Sequence, residues 1–176
     1  LECLKSIKNS GYQTGTGVMI GLPFQSISDL ADDLLFMKNF GIDMVGMGPY
    51  LIHKDTPLSK YENKILPIDK RFKLSLRMIA ILRIICPTIN IVSSTALQAI
   101  DVTGREQGLL AGANILMPNI TPRRQREKYL LYDNKPGTDQ ETEDIIQYIK
   151  KQVENIGEKL SHEEYGDSQH YIQRNN

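Results

Sequence analysis

The chain is poor in the residues that metal and disulfide chemistry require. It holds two cysteines, Cys3 and Cys86, and three histidines, His53, His162 and His170, in 176 residues. Two thiols so far apart exclude a disulfide framework and any C-x-x-C metal motif, and read as buried packing residues. The histidines have no ligand spacing, so no zinc site is expected. Charge of one sign is also lacking. Basic and acidic side chains number 21 each, so no global field draws the protein to nucleic acid or to an anionic membrane. Apolar runs such as Met78 to Ile81 are far shorter than the roughly 20 residues of a membrane span, and no basic-then-apolar leader opens the chain. A cytoplasmic location is the expectation. The opening Leu1-Glu2-Cys3-Leu4-Lys5 reads as the inside of a helix rather than a natural start, so the chain is expected to be one part of a longer protein.

What the chain has is an alternation of short apolar runs with longer amphipathic ones, the pattern of parallel strands joined by crossover helices. Four strands are expected: Gly15 to Ile20, Met44 to Met47, Ile89 to Val92 and Asn114 to Met117. Each is apolar without alternation, as in strands buried on both faces. Ser28 to Phe40 is predicted as a helix with an apolar stripe of Leu30, Leu34, Met37 and Phe40, an N-cap at Ser26 or Ser28, and a stop at Gly41. Asp69 to Ile85 is predicted as a second, with Phe72, Leu76, Ile79, Ile81 and Leu82 inward and Pro87 ending it. Thr103 to Glu106 has capping-box spacing before a short helix that runs to Ala111. A closing helix is placed from Thr138 to about Leu160, followed by a polar, loosely ordered tail from Ser161.

This order predicts an α/β fold, the C-terminal half of a (β/α) TIM barrel over residues 1–137, with a capping helix and polar tail over 138–176. A doubly wound nucleotide-binding sheet fits less well, because Gly21-Leu22-Pro23 is not G-x-G-x-x-G. Barrel chemistry sits at the C-terminal strand ends. There the chain offers Gly21, Leu22, Pro23 and Gln25, then Gly48, Pro49 and Tyr50, then Ser93, Ser94 and Thr95, then Pro118 and Asn119. The set is polar but uncharged, with neither paired carboxylates nor a Ser-His-Asp arrangement, so binding and positioning suit it better than hydrolysis. Each residue also has a plainer reading. The glycines of Gly17-x-Met19-x-Gly21 serve strand–helix packing as well as close approach of a flat ring, and Ser94 and Thr95 serve to cap the next helix. Met117 serves as core, Tyr129 and Tyr132 as one helix face, and Arg123, Arg124 and Arg126 as a solvated helix start. The long loop from Gly48 to Ile68, carrying His53, has the length of a functional loop.

Taken together, G-x-M-x-G-L-P-x-Q from Gly17, I-D-M-V-G-x-G-P from Ile42, D-x-T-G-R-E from Asp101 and A-G-A-N-x-x-M-P-N from Ala111 resemble the radical S-adenosylmethionine maturases of FeFe-hydrogenase, the HydE family. Biotin synthase and methylornithine synthase resemble the same architecture less closely. The resemblance implies an enzyme in which a 4Fe-4S cluster cleaves S-adenosylmethionine and the adenosyl radical acts on a substrate inside the barrel, in assembly of the H-cluster with its diiron subcluster and dithiomethylamine bridge. It places Met19, Ile20, Gly21, Leu22 and Pro23 beside the nucleoside, and Ser94, Thr95, Met117, Tyr129 and Tyr132 around the substrate. Ser94 stands where a second threonine is common, and Phe24 where glycine is usual. The C-x-x-x-C-x-x-C motif that supplies the family's cluster ligands is not among these residues. The chain alone is therefore expected to be inactive, its partner being the N-terminal half-barrel or a second copy of itself, with hydrogenase maturation proteins beyond. The alternatives are a biotin synthase-like or methylornithine synthase-like radical enzyme, or a non-catalytic half-barrel used as a binding module.

Overall fold

A computed structural model describes residues 1–126, 128, 132, 136, 141–161 and 165–175. Helix α1 (Glu2–Asn9) leads into strand β1 (Gly15–Ile20), and helix α2 (Ile27–Phe40) crosses to β2 (Met44–Pro49). A 3-10 segment (Pro57–Lys64) and α3 (Ile68–Ile85) lead to β3 (Asn90–Ser93). The strands pair in parallel in the order β1-β2-β3, with Gly15 opposite Met44 and Met44 opposite Asn90. Sequential parallel order with helical crossovers is the arrangement of neighbouring units in a β/α barrel. The expected fourth strand is reduced to one parallel bridge between Val92 and Ile115.

The helices form where the pattern demands. Ser26 closes a capping box with Asp29 at the start of α2, and Gly41 ends it in the left-handed conformation at φ 68°. Leu30, Leu34 and Met37 from α2, Phe72, Met78, Ile79 and Leu82 from α3, and Ile20, Val45, Met47 and Ile91 from the sheet make one core. Ile81 falls on the outer face of α3 at 45% exposure, because the buried stripe runs through Met78, Ile79 and Leu82.

Several expectations fail for identifiable reasons. Strand β1 is not buried on both faces but alternates exposed and half-buried residues, since it is the sheet edge and its cavity-facing side is uncovered. Helix α4 (Thr95–Ile100) was not anticipated, and it packs against α5 (Gly104–Leu110). Thr103 makes no capping bond to α5; its N–H and hydroxyl turn back to Asp101 Oδ1, both at 2.8 Å. Helix α6 (Arg123–Arg126) is solvated at Arg123, which pairs with Glu141 at 3.0 Å, but Arg126 is buried, bonded to Thr121 O and Thr142 Oγ1. Cys3 is exposed rather than packed. The closing helix, α7, spans Thr142–Asn155 and buries Ile145, Ile149 and Val153; the expected start at Thr138 lies outside the described residues.

The tail is the largest departure. Helix α8 (Gln169–Asn175) docks beneath the strands through Asp43, whose side chain has no solvent exposure. The Asp43 carboxylate accepts from Thr14 N–H at 2.7 Å, His170 Nδ1 at 2.8 Å and the Arg174 guanidinium at 2.8 and 3.1 Å. Gln13 bonds Asp167 at 2.9 Å and the Ser168 N–H at 3.0 Å, and Tyr171 donates to Gly11 O. Burial works to raise the Asp43 pKa, but Arg174, the Thr14 amide and His170 outweigh it and hold the carboxyl below its ordinary range. A depressed native pKa stabilises above the unfolded value near ~4 and is lost as pH falls through the native one. Asp43→Asn is therefore expected to lower unfolding free energy by about 1–3 kcal/mol at pH 7, since it weakens the charge-assisted bonds from Thr14, His170 and Arg174 to a buried acceptor. Its urea midpoint will also change less between pH 6 and pH 3 than that of the wild type.

Candidate functional site

A cavity of about 450 Å³ opens at the C-terminal ends of the strands, the end at which β/α barrels carry their chemistry. Its lining includes Met19, Gly46, Gly48, Tyr50, Ser94 and Tyr132, and apolar surface dominates. His53 and Leu58, from the long loop after β2, close one side.

Two turns frame it. After β1, Gly21 takes φ 84°, and Gln25 folds its side chain back over the turn. Its amide oxygen accepts from Gly21 N–H at 2.7 Å and Leu22 N–H at 3.3 Å, while its amide nitrogen donates to Met19 O at 3.1 Å. The Gly21 and Leu22 amides and the Met19 carbonyl are thus already paired, and Met19, 53% exposed near the end of β1, lines the cavity. Phe24 adopts φ 66°, the left-handed region that a glycine takes without strain; its ring meets Tyr61 edge-on at 5.1 Å. After β2, the Tyr50 N–H donates to Ile20 O at 2.8 Å. Arg71, 5% exposed on the first turn of α3, donates from its guanidinium to Tyr50 O, and from Nε to Leu66 O at 2.9 Å. Burial pushes this guanidinium below its ordinary pKa, with the Tyr50 ring opposing.

Of the residues expected at the site, Met19, Ser94 and Tyr132 line this one cavity. Thr95 joins them through its Oγ1, which accepts from the Tyr132 hydroxyl at 2.8 Å. Burial pushes the Tyr132 phenol up, while the Thr95 bond and the nearby Arg105 charge oppose the rise. Ser94 stands before α4 but does not cap it, and its buried hydroxyl has no hydrogen-bond partner among the described residues. Ile20 points into the core with no exposure, its carbonyl is taken up by the Tyr50 N–H, and it is not part of the cavity lining. Leu22 and Pro23 are half-buried in the turn. Met117 is 56% exposed outside the cavity lining, and Tyr129 lies outside the described residues. Gly46 entered the sequence reading only as part of I-D-M-V-G-x-G-P, with no site role, and Arg71 did not enter it; the place of each arises from contacts across elements.

Among the described residues no group of three His, Cys, Asp or Glu is placed to hold a metal. With Cys3 exposed on α1 and Cys86 beyond the end of α3, these residues do not fit the ligand set of an iron–sulfur cluster. Among them, too, no helix is long and apolar enough to cross a membrane.

The chain is 44% identical over 161 residues, 90% of its length, to the [FeFe] hydrogenase maturase subunit HydE of Thermotoga maritima. It is a relative of HydE. The similarity to 3-methylornithine synthase of Methanosarcina acetivorans is weaker, 32% over 151 residues and 85% of the chain. The chain spans less than half the length of either relative, 44% of HydE and 39% of the synthase. No protein-family model matches.

The glycines of the paired strands differ in tolerance. A Cβ on Gly17 would come 2.3 Å from the Gly46 carbonyl oxygen, whereas one on Gly46 would meet nothing within 4 Å and would enter the cavity. Gly17→Ala is therefore expected to cost about 1–3 kcal/mol in urea unfolding. Gly46→Ala should change stability by less than about 1 kcal/mol while narrowing the cavity in a crystal structure.

Proposed function

We propose that these residues form the substrate-cavity half of a HydE-like radical S-adenosylmethionine enzyme that acts in the cytoplasm in assembly of the hydrogenase H-cluster. The observation that carries this reading is the 44% identity to HydE across a segment whose apolar cavity lies at the C-terminal strand ends. In this reading Met19 and the Gly21–Pro23 turn lie against the nucleoside of S-adenosylmethionine, with Ile20 anchoring the end of β1 beneath them. The self-paired turn and the exposed Met19 support that contact, because they offer a flat ring an apolar surface. Ser94, Thr95, Tyr132, Met117 and Tyr129 would face the substrate. The cluster supplies the electron that cleaves S-adenosylmethionine, and its three thiolates come from a cysteine-bearing half outside these residues. The free edge of β1 accepts the adjoining parallel strand of that half, since an unpaired edge is a template for pairing. Other hydrogenase maturation proteins are the partners downstream.

The test supplies the missing ligands. The chain is joined ahead of Leu1 to the C-x-x-x-C-x-x-C-bearing segment of the Thermotoga HydE, reconstituted anaerobically with iron and sulfide, and assayed for 5′-deoxyadenosine. The joined protein is expected to cleave S-adenosylmethionine and the chain alone to release none. Robust cleavage by the chain alone, or none by a folded, cluster-loaded fusion, would overturn the reading.

A further inference from the structure

Arg71 is a buried cation whose hydrogen bonds go to carbonyl oxygens rather than to a carboxylate, and burial of such a charge is costly unless it does something a neutral residue would not. Its three contacts converge on the two turns that frame the cavity. The guanidinium holds Tyr50 O at the end of β2 and Leu66 O at the end of the long loop. The methylene stem lies under the turn after β1, so close that a Cβ on Gly21 would come 2.4 Å from Arg71 Cγ and 2.7 Å from Cδ. Gly21 and Tyr50 are in turn joined through the Tyr50 N–H bond to Ile20 O at 2.8 Å. One side chain therefore braces both turns beside the backbone bond that joins them, and a rigid planar fork is suited to this in a way that a lysine ammonium is not.

We infer that Arg71 is a positioning residue: it fixes the β1 turn relative to Tyr50 and so shapes the surface that meets the nucleoside of S-adenosylmethionine. This rests on the proposed function for the ligand's identity, but not for the geometry. Arg71 itself is enclosed beneath the turns and touches no reacting atom.

The experiment has two arms, so that failure of one reading is separable from failure of the other. In the joined, cluster-loaded protein, Arg71→Met is expected to raise KM for S-adenosylmethionine about tenfold while kcat for 5′-deoxyadenosine stays within about twofold; Arg71→Lys, which keeps the stem, recovers part of the loss. In the 176-residue chain, Arg71→Lys is expected to move the backbone amide resonances of Gly21 and Tyr50 together and to leave Thr14 and Asp43, at the opposite strand ends, in place. Unchanged KM in a folded Arg71→Met, or equal loss of kcat and folded fraction, would overturn the inference. So would an Arg71→Lys spectrum in which Gly21 and Tyr50 do not move together. If the wild-type fusion cleaves no S-adenosylmethionine, the proposed function has failed, and the amide resonances alone decide the role of Arg71.

Discussion

The arrangement hangs on one carboxylate. Asp43 sits just before β2 with no solvent exposure, and its carboxylate joins two distant parts of the chain: the Thr14 amide just before β1, and the imidazole and guanidinium of α8. Its backbone is equally committed, with the N–H to Thr14 O and the carbonyl to Asn90 N–H, so β1, β2 and β3 are all registered from this residue. A buried charge is worth keeping only if fully paired. Here the pairing joins the two ends of the chain beneath the sheet, leaving the opposite strand ends to carry the cavity.

The molecule is thus divided by chemistry along the strand direction. The lower ends are ionic and closed by the tail; the upper ends are apolar, open, and shaped largely by hydrogen bonds between neutral groups, with Arg71 and Arg105 as buried exceptions. Stabilising charge and ligand-facing surface are kept apart, so a change in one leaves the other largely untouched.

Much of this was legible in the sequence, and the failures have a common cause. Strand β1 was bounded correctly and α2 to within a residue, because an apolar run, a serine cap and a terminal glycine are local signals. Tyr132, Ser94 and Met19 were placed through the family motifs, and they do share a cavity. The tail read as loose because residues 161–175 have too few apolar groups to bury; its order comes from charge pairs with residues some 130 positions away, which no local pattern encodes. Arg71 was invisible for the same reason. Capping-box spacing at Thr103 misled because Asp101, two residues earlier, offered its hydroxyl and amide a better acceptor.

The way Gln25 closes the turn after β1 has a thermodynamic consequence. Because the amides of Gly21 and Leu22 and the carbonyl of Met19 already have partners within the turn, a ligand settling there strips no water from these three groups. What it displaces is water over apolar surface. Association at this turn should therefore carry the negative heat-capacity change of apolar burial, with little dependence on ionic strength.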